Sequence, residues 1–407
     1  MRRNAHNPLA VFPFLLKILL FYPCSCAILK RRSFQLGGDF MTVFKNFLKK
    51  NTVLCIALIA ATVTCFFIPP DSEYLGYFDF RVLTCLFCVL AVVCAFQNIS
   101  YFYILARKIV EFFQTVRMCV LAIVMITFIG SMLIANDMAL LTFLPLGFFV
   151  LDATKMHKYM AFTFTMQNIA ANLGGMLTPF GNPQNLYLYS RFNIPNGEFF
   201  SIMLFPFCIS TVLIIVCCLF VKPEKMKLPE ETVKLDVKKA VIYSILFAVA
   251  IAVVFRSIPY YYGLIIIIPV LLMIDSKSLL SVDYPLLCTF AAFFVFSGNL
   301  ARIGAVRDFL QSLLSKNTFL FSVASCQCIS NVPSAILLSA FTDDYASLLR
   351  GVNIGGVGTF IASLASLITL REYSKRDPGG IKRYILTFSL LNFGFLLVLC
   401  AAVTIFI

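Results

Sequence analysis

The sequence predicts an all-α polytopic membrane protein: two inverted-topology repeats, each with a re-entrant hairpin and a broken helix, and 9-10 transmembrane spans in all. Three observations predict it. Of 407 residues 60% are hydrophobic and 13% charged, with a mean hydropathy of +0.92, so polar side chains cannot cover a water-facing surface. Long uncharged windows recur along the whole chain. One pattern, N-x-G-G-x-x-T, occurs twice inside such windows, as Asn172 to Thr178 and, beginning 181 residues later, as Asn353 to Thr359. Glycine pairs weaken a membrane helix, and interrupted hydrophobic segments at corresponding places in two halves mark the midplane site of a secondary transporter.

Residues 1–40 read as an N-terminal extension. Arg2 and Arg3 precede an apolar run in the manner of a signal peptide or first span, but entry with the N terminus inside would leave Lys30, Arg31 and Arg32 outside. Either residues 8–29 span outward to inward despite Lys17, or translation begins at Met41; the second is preferred. A native peptide from residues 4–28 in a mass spectrum would sink that preference. The first repeat is 41–221, with uncharged windows at 51–70, 82–106, 118–136, 159–190 and 199–221. A Lys- and Glu-rich cytoplasmic linker follows at 222–239. The second, inverted repeat is 240–407, with windows at 240–255, 257–274, 284–301, 317–342, 351–370 and 384–407. Most can cross a bilayer core of roughly 30 Å as helices. The runs are continuously apolar, which argues against barrel strands.

Charge sets the topology. Six cations between 30 and 50, six between 222 and 239 and five between 371 and 383 fall inside, while the outside segments carry isolated ones such as Arg81, Arg191 and Arg350. The stretch 118–151 must then return the chain to the face it left, turning near Asn136 and Asp137. A hairpin of that kind is tolerated where it is buried in protein or lines a cavity. Its counterpart at 317–342, centred on Asn331 and Pro333, enters from outside, which makes the halves inverted and leaves the C terminus outside.

The net charge of +14 is spread over the segments between apolar runs and gives no support to a nucleic-acid partner. The partner implied throughout is the lipid bilayer of the cell (inner or plasma) membrane. Fifteen cysteines lie mostly within apolar windows, and the Cys85, Cys88 pair has no second pair or nearby histidine to complete a zinc site. With no Trp in the chain, an interfacial aromatic belt falls to tyrosines such as Tyr260, Tyr261 and Tyr262. Only His6 and His157 occur, and no catalytic constellation is visible, so a membrane-embedded enzyme lacks support.

A carboxylate at the centre of a membrane segment costs about 2.5 to 3.5 kcal/mol on insertion scales, so Asp137 is read as cation- or proton-carrying beside a substrate-contacting Asn136. The plainer reading is that Asp137 only caps the following helix. After Asn172, Gly174 and Gly175, the prolines Pro179 and Pro183 cannot donate backbone hydrogen bonds, so the helix must unwind. Unwinding frees carbonyls for a cation and exposes a half-helix N terminus that suits an anion. Packing alone would account for the glycines, but not for the amides Asn182, Gln184 and Asn185. The substrate set is therefore Asn136, Thr178, Asn182, Asn185, Ser330, Asn331 and Thr359, and the cation set Asp137, Asn172, Gly174, Gly175, Asn353, Gly355 and Gly356. Cys326 and Cys328, just before the second tip, are soft ligands that would suit arsenite but read better as ordinary buried cysteines. Ser297, Gly298 and Asn299, late in a span, line the cavity or cap a helix. No cofactor is expected beyond Na+ or H+ as coupling ion.

From about Met41 onward these motifs resemble the ion transporter superfamily: divalent-anion:sodium symporters, citrate-metal symporters, arsenite-antimonite efflux permeases and one class of sodium-proton antiporters. In the symporters each hairpin tip carries Ser-Asn-Thr, matched here by Ala135-Asn136-Asp137 and Ser330-Asn331-Val332, in which only the asparagines agree throughout. The first broken helix, Gly174 to Asn185, resembles the citrate-transporter branch, while the Ala-Asn-Asp tip resembles the arsenical-pump branch. The resemblance implies cation-coupled alternating access of a small anion, a di- or tricarboxylate, by rocking against a scaffold that forms a homodimer. Arsenite or antimonite efflux and sodium-proton exchange stay open as alternatives, with a channel behind them.

Overall fold

The structure, a computed structural model, describes residues 51–225 and 235–407. The expectations for residues 1–40, for the cations between 30 and 50 and for the middle of the 222–239 linker lie outside the described residues. Among the described residues every regular element is a helix, and the one extended pairing is an isolated bridge between Thr115 and Lys225.

In chain order the helices are α1 (Thr52–Phe67), α2 (Phe80–Asn98), α3 (Tyr101–Glu111), α4 (Val116–Ile134), α5 (Asn136–Ala153), α6 (Met160–Gly174), α7 (Pro183–Arg191) and α8 (Asn196–Leu219). After the linker come α9 (Val237–Val254), α10 (Tyr260–Ile274), α11 (Ser276–Leu280), α12 (Tyr284–Arg302) and α13 (Gly304–Leu314). The chain ends with α14 (Thr318–Ile329), α15 (Asn331–Leu338), α16 (Tyr345–Ile354), α17 (Leu364–Arg376) and α18 (Ile381–Phe406). Seven are long and apolar enough to cross a bilayer, namely α2, α4, α5, α8, α9, α12 and α18; α1, α10 and α14 are shorter apolar helices. Large apolar side chains such as Leu204, Val212, Leu390 and Leu397 point outward, which places the protein in lipid as a multi-pass membrane protein.

Polar residues set the helix starts. Asp236, Asp283, Asn317 and Asp344 each accept a backbone N–H of the first turn of α9, α12, α14 and α16, satisfying donors that a helix N terminus leaves orphaned. Inside the apolar runs, hydroxyls such as those of Thr127, Thr165, Ser322 and Thr369 donate to the carbonyl four residues back. The uncharged window 82–106 is not one span. It breaks after Asn98, where Ser100 adopts a left-handed φ of 53°.

The chain divides into two compact units. The first, 51–83 with 283–312 among the described residues, is built on α1 packed along α12. Asn299 donates to Thr64 Oγ1 at 3.1 Å, and a Cβ at Gly298 would lie 2.6 Å from the Tyr77 ring. Gly298 and Asn299 thus serve this helix pairing. Arg302 donates to both carboxylate oxygens of Asp71, at 3.1 and 2.6 Å.

The second unit, 84–282 with 313–407, holds every predicted site residue. Here α4 and α5 form one hairpin and α14 and α15 another; α6 with α7, and α16 with α17, are the two interrupted helices. Each hairpin packs on the interrupted helix of its own half, α4 on α6 and α14 on α16. Across the halves the contacts are reciprocal, α5 on α17 and α15 on α7. Four half-helix N termini are thereby drawn to one region.

Candidate functional site

The two hairpin tips have one geometry. Ala135 has φ 65° and ψ 152°, and Ser330 has φ 77° and ψ 158°, a region that residues with a side chain avoid. Each tip is held by its own broken helix: Asn136 N–H donates to Gly181 O at 3.1 Å, and Asn331 N–H to Ala362 O at 2.9 Å. Each asparagine Oδ1 accepts the next backbone N–H, from Asp137 and from Val332, at 2.9 Å. The threonine ending each N-x-G-G-x-x-T copy also fastens a hairpin, Thr178 Oγ1 donating to Met132 O at 2.7 Å and Thr359 Oγ1 to Gln327 O at 3.1 Å.

The glycine pairs fall where the helices stop. α6 ends at Gly174, a single 3-10 turn covers Gly175 to Leu177, and Thr178 is extended; α16 ends at Ile354 and α17 begins only at Leu364. A Cβ at Gly174 would lie 2.1 Å from Phe128 O of α4, so this glycine permits a close backbone approach. A Cβ at Gly175 would meet Asn182 Oδ1 at 2.3 Å and Gly181 O at 2.6 Å, across the tight turn. Gly355 abuts Gly351 O and Cys326 in the same way. Gly358, at φ +125°, occupies backbone space that favours glycine.

Carbonyls bared by the two breaks are taken up differently. Asn185 Nδ2 donates to Gly175 O, Met176 O and Thr178 O, each at 3.1 Å. In the second half the donor comes from the hairpin: Gln327 Nε2 reaches Gly355 O at 2.9 Å and Val357 O at 3.2 Å, and its Oε1 accepts Thr359 N–H at 2.9 Å. Gln327 occupies the hairpin place that Met132 holds in the first half. Sequence reasoning passed over it, and the signal was an amide three residues before a tip.

The breaks meet in a buried amide network. Asn172 Oδ1 accepts from Asn136 Nδ2 at 3.2 Å and from Ser363 Oγ at 2.8 Å. Asn182 Nδ2 donates to Asn172 O and to Asn353 Oδ1, both at 3.1 Å. Gln184 Nε2 approaches the same Asn353 oxygen at 3.4 Å, and Asn353 Nδ2 donates to Asn185 Oδ1 at 2.6 Å and Leu349 O at 2.8 Å. A Cβ added at Gly356 would sit 3.0 Å from Asn331 Nδ2 and 3.6 Å from Asn172 Oδ1, so the second tip closes on the same centre. Asn136, Asn172, Asn182, Asn185, Asn331 and Asn353 are all buried; Asp137, Thr178, Ser330 and Thr359 are partly exposed at the margin. Asn168, one turn before Asn172 on the same face, extends the network toward Ser366 and Thr369 at 3.4 and 3.5 Å, and four-residue spacing was the signal for it.

Among the described residues, Asn182 Oδ1 and Gln184 Oε1 are buried acceptors without a hydrogen-bond donor, and Asn331 Nδ2 makes no hydrogen bond. Buried polar groups are normally satisfied. Groups of both signs are therefore left available at one centre, in which no Lys or Arg takes part. Half-helix N termini of α5, α7, α15 and α17 add positive dipole ends, and Asp137 sits in the first turn of α5.

Discontinuous helices around a buried polar centre, in a multi-pass membrane protein, define a membrane transporter. Residues 41–354 match the citrate transporter family, and the chain belongs to it. It is 33% identical over 332 residues to the uncharacterized transporter MJ0456 of Methanocaldococcus jannaschii, covering 81% of this chain and 90% of that protein. It is 30% identical over 287 residues to the inner membrane protein YbiR of Escherichia coli, covering 68% of this chain and 75% of that protein.

Proposed function

We propose that the protein carries a small anion, a di- or tricarboxylate, across the cell membrane, coupled to Na+ or H+ by alternating access. The observation that carries this is the mixture of unused groups at the centre: the Asn331 amide N–H2 for an anion, the carbonyl oxygens of Asn182 and Gln184 for a hard cation. With no Lys or Arg in the network, a bound carboxylate needs its compensating charge from bound cations and half-helix dipoles. Substrate contacts fall to Asn136, Thr178, Asn182, Asn185, Ser330, Asn331 and Thr359. Cation contacts fall to Asp137, Asn172, Gly174, Gly175, Asn353, Gly355 and Gly356, joined by the carbonyl oxygens of Asn182 and Gln184, so that Asn182 serves both passengers. The family name and the inner-membrane name of the Escherichia coli relative support a carboxylate cargo and an inner or plasma membrane.

The paired hydrogen bonds of tips and breaks support a division into a first repeat, 41–221, and a second, 240–407, joined by 222–239. In this reading the α4–α5 hairpin opens from the cytoplasm, the α14–α15 hairpin from outside, and the C terminus lies outside. Rocking of the paired hairpins and broken helices against a dimeric scaffold would expose the centre alternately.

Uptake of labelled citrate and succinate into proteoliposomes, with sodium and proton gradients imposed separately, tests the proposal. A saturable uptake driven by one gradient, with cation dependence abolished in Asp137→Asn, is the expected result. Coupled uptake unchanged in that variant refutes the role of Asp137. A sodium-driven pH change with no carboxylate movement would instead establish the exchanger reading, which the partly exposed carboxylate beside the tip favours as the alternative.

A further inference from the structure

Away from the asparagine centre, the second unit has a cavity of about 530 Å³. It lies where the turn into α14, the first turns of α16 and the last turn of α18 come together. Two cations face it, Lys316 from the turn and Arg350 from α16. Arg350 is half-buried, and its Nε donates to Ile202 O at 3.2 Å. Among the described residues no carboxylate comes within ion-pair distance of Arg350 or Lys316, and the terminal guanidinium nitrogens make no hydrogen bond. Asp344, also in the lining, caps α16, its Oδ1 accepting Ser347 N–H at 3.0 Å, and its charge reaches Arg350 from beyond ion-pair distance.

A partly desolvated guanidinium with no carboxylate in direct contact is costly, and an anion that completes the site lowers that cost. The arginine fork matches the geometry of phosphate and carboxylate oxygens, and the hydroxyl of Ser347 lies in the same wall. The rest of the wall is mixed, with Thr318, Thr342 and Thr404 among Phe319, Val403 and Ile407, and beside it Ile405 and Phe406 of α18 are exposed. A charged recess opening beside a lipid-facing helix end suits an amphiphile with an anionic head.

We propose that this cavity is an oxyanion site, in which Arg350 and Lys316 hold a phosphate-type group, as the head of an anionic phospholipid or as the free ion. The site is separate from the transport centre and does not depend on what is transported.

The test uses the full chain, delipidated in an uncharged detergent, with thermal midpoints read against added short-chain phosphatidylglycerol, phosphatidylcholine of the same chain length, and inorganic phosphate. Phosphatidylglycerol or phosphate should raise the midpoint, and Lys316→Gln and Arg350→Gln should each weaken the apparent affinity on the order of ten-fold. Stabilisation by phosphatidylglycerol alone identifies the lipid head as the ligand, and stabilisation by phosphate identifies the free ion. Lys316 is exposed and, among the described residues, its side chain makes no hydrogen bond or ion pair, so its variant keeps the experiment decisive if Arg350→Gln fails to fold. The proposal is overturned if neither anion shifts the midpoint, if phosphatidylcholine acts as strongly as phosphatidylglycerol, or if the shifts persist undiminished in Lys316→Gln.

Discussion

Replacing Asn353 by alanine should be among the most damaging polar changes in the chain. Its side chain joins the second break to the first, accepting from Asn182 and Gln184 and donating to Asn185 and Leu349 O. Without it, Asn182 Nδ2 keeps Asn172 O, but Asn185 Oδ1 and Gln184 Nε2 lose the partners described for them. Each orphaned buried group costs about 1–3 kcal/mol, so the loss is about 2–6 kcal/mol plus the cavity left by the amide. Asn392, equally buried in α18, supplies the matched control. Its Nδ2 donates only to Phe388 O of its own helix at 3.0 Å, and its Oδ1 is a buried acceptor without a donor. Asn392→Ala removes the same volume and orphans no other side chain, so its cost should be about 1 kcal/mol or less beyond the cavity. The chain has no Trp, so melting is best followed by far-ultraviolet circular dichroism in detergent. The midpoint of Asn353→Ala should fall on the order of 5 °C further than that of Asn392→Ala. Equal midpoints would refute the bridging role given to Asn353.

Three further outcomes follow from local geometry. Gly174→Ala drives a Cβ to 2.1 Å from the Phe128 carbonyl and should collapse expression, whereas Gly394→Ala, which meets nothing within 4 Å in the interior of α18, should raise the midpoint by about 0.5–1 kcal/mol of stability. At the tip, Ala135→Gly relieves about 1–3 kcal/mol of backbone strain against about 0.5–1 kcal/mol of added chain entropy, so a lowered midpoint would contradict the assigned conformation. Outside the spans, hydrogen bonds from Lys158 at 2.7 Å and Tyr159 at 2.9 Å hold the Glu224 carboxyl below its usual range. A depressed carboxylate pKa adds stability that is present above the ordinary glutamate value of about 4.3 and is lost as pH falls through the folded value. Glu224→Gln should therefore flatten the acid side of the midpoint-against-pH curve, most visibly at low salt.

Much of this architecture was legible in the sequence because a backbone in lipid must satisfy itself, so departures from an apolar helix stand out. Gly174, Gly175, Pro179 and Pro183 marked the first break and Gly355 and Gly356 the second, and Asn136 and Asn331 marked the tips. The partners of the bared carbonyls were not legible, because amide pairing depends on distances between segments far apart in sequence. Asn185 reads from the sequence as a substrate ligand, and nothing in the sequence shows that its Nδ2 also reaches Gly175 O, Met176 O and Thr178 O, or that Gln327, an amide three residues before a tip, does the same work in the second half. The break after Asn98 was hidden as well, since Ser100 interrupts an uncharged run without glycine or proline.

The unequal use of amides has a mechanical consequence. In the first half the donor that ties the bared carbonyls, Asn185, belongs to the interrupted helix itself, and the hairpin is held by Thr178, Gly181, the Asn136–Asn172 contact and Gln167 of α6, whose Nε2 donates to Thr127 Oγ1 of α4 at 3.1 Å and to Phe143 O of α5 at 2.9 Å. In the second half Gln327 laces hairpin and break into a single stiff piece. The two hairpins share one sequence pattern yet are pinned from opposite sides, the first by an amide of the interrupted helix and the second by an amide of the hairpin, so that in each half hairpin and break are tied as one piece.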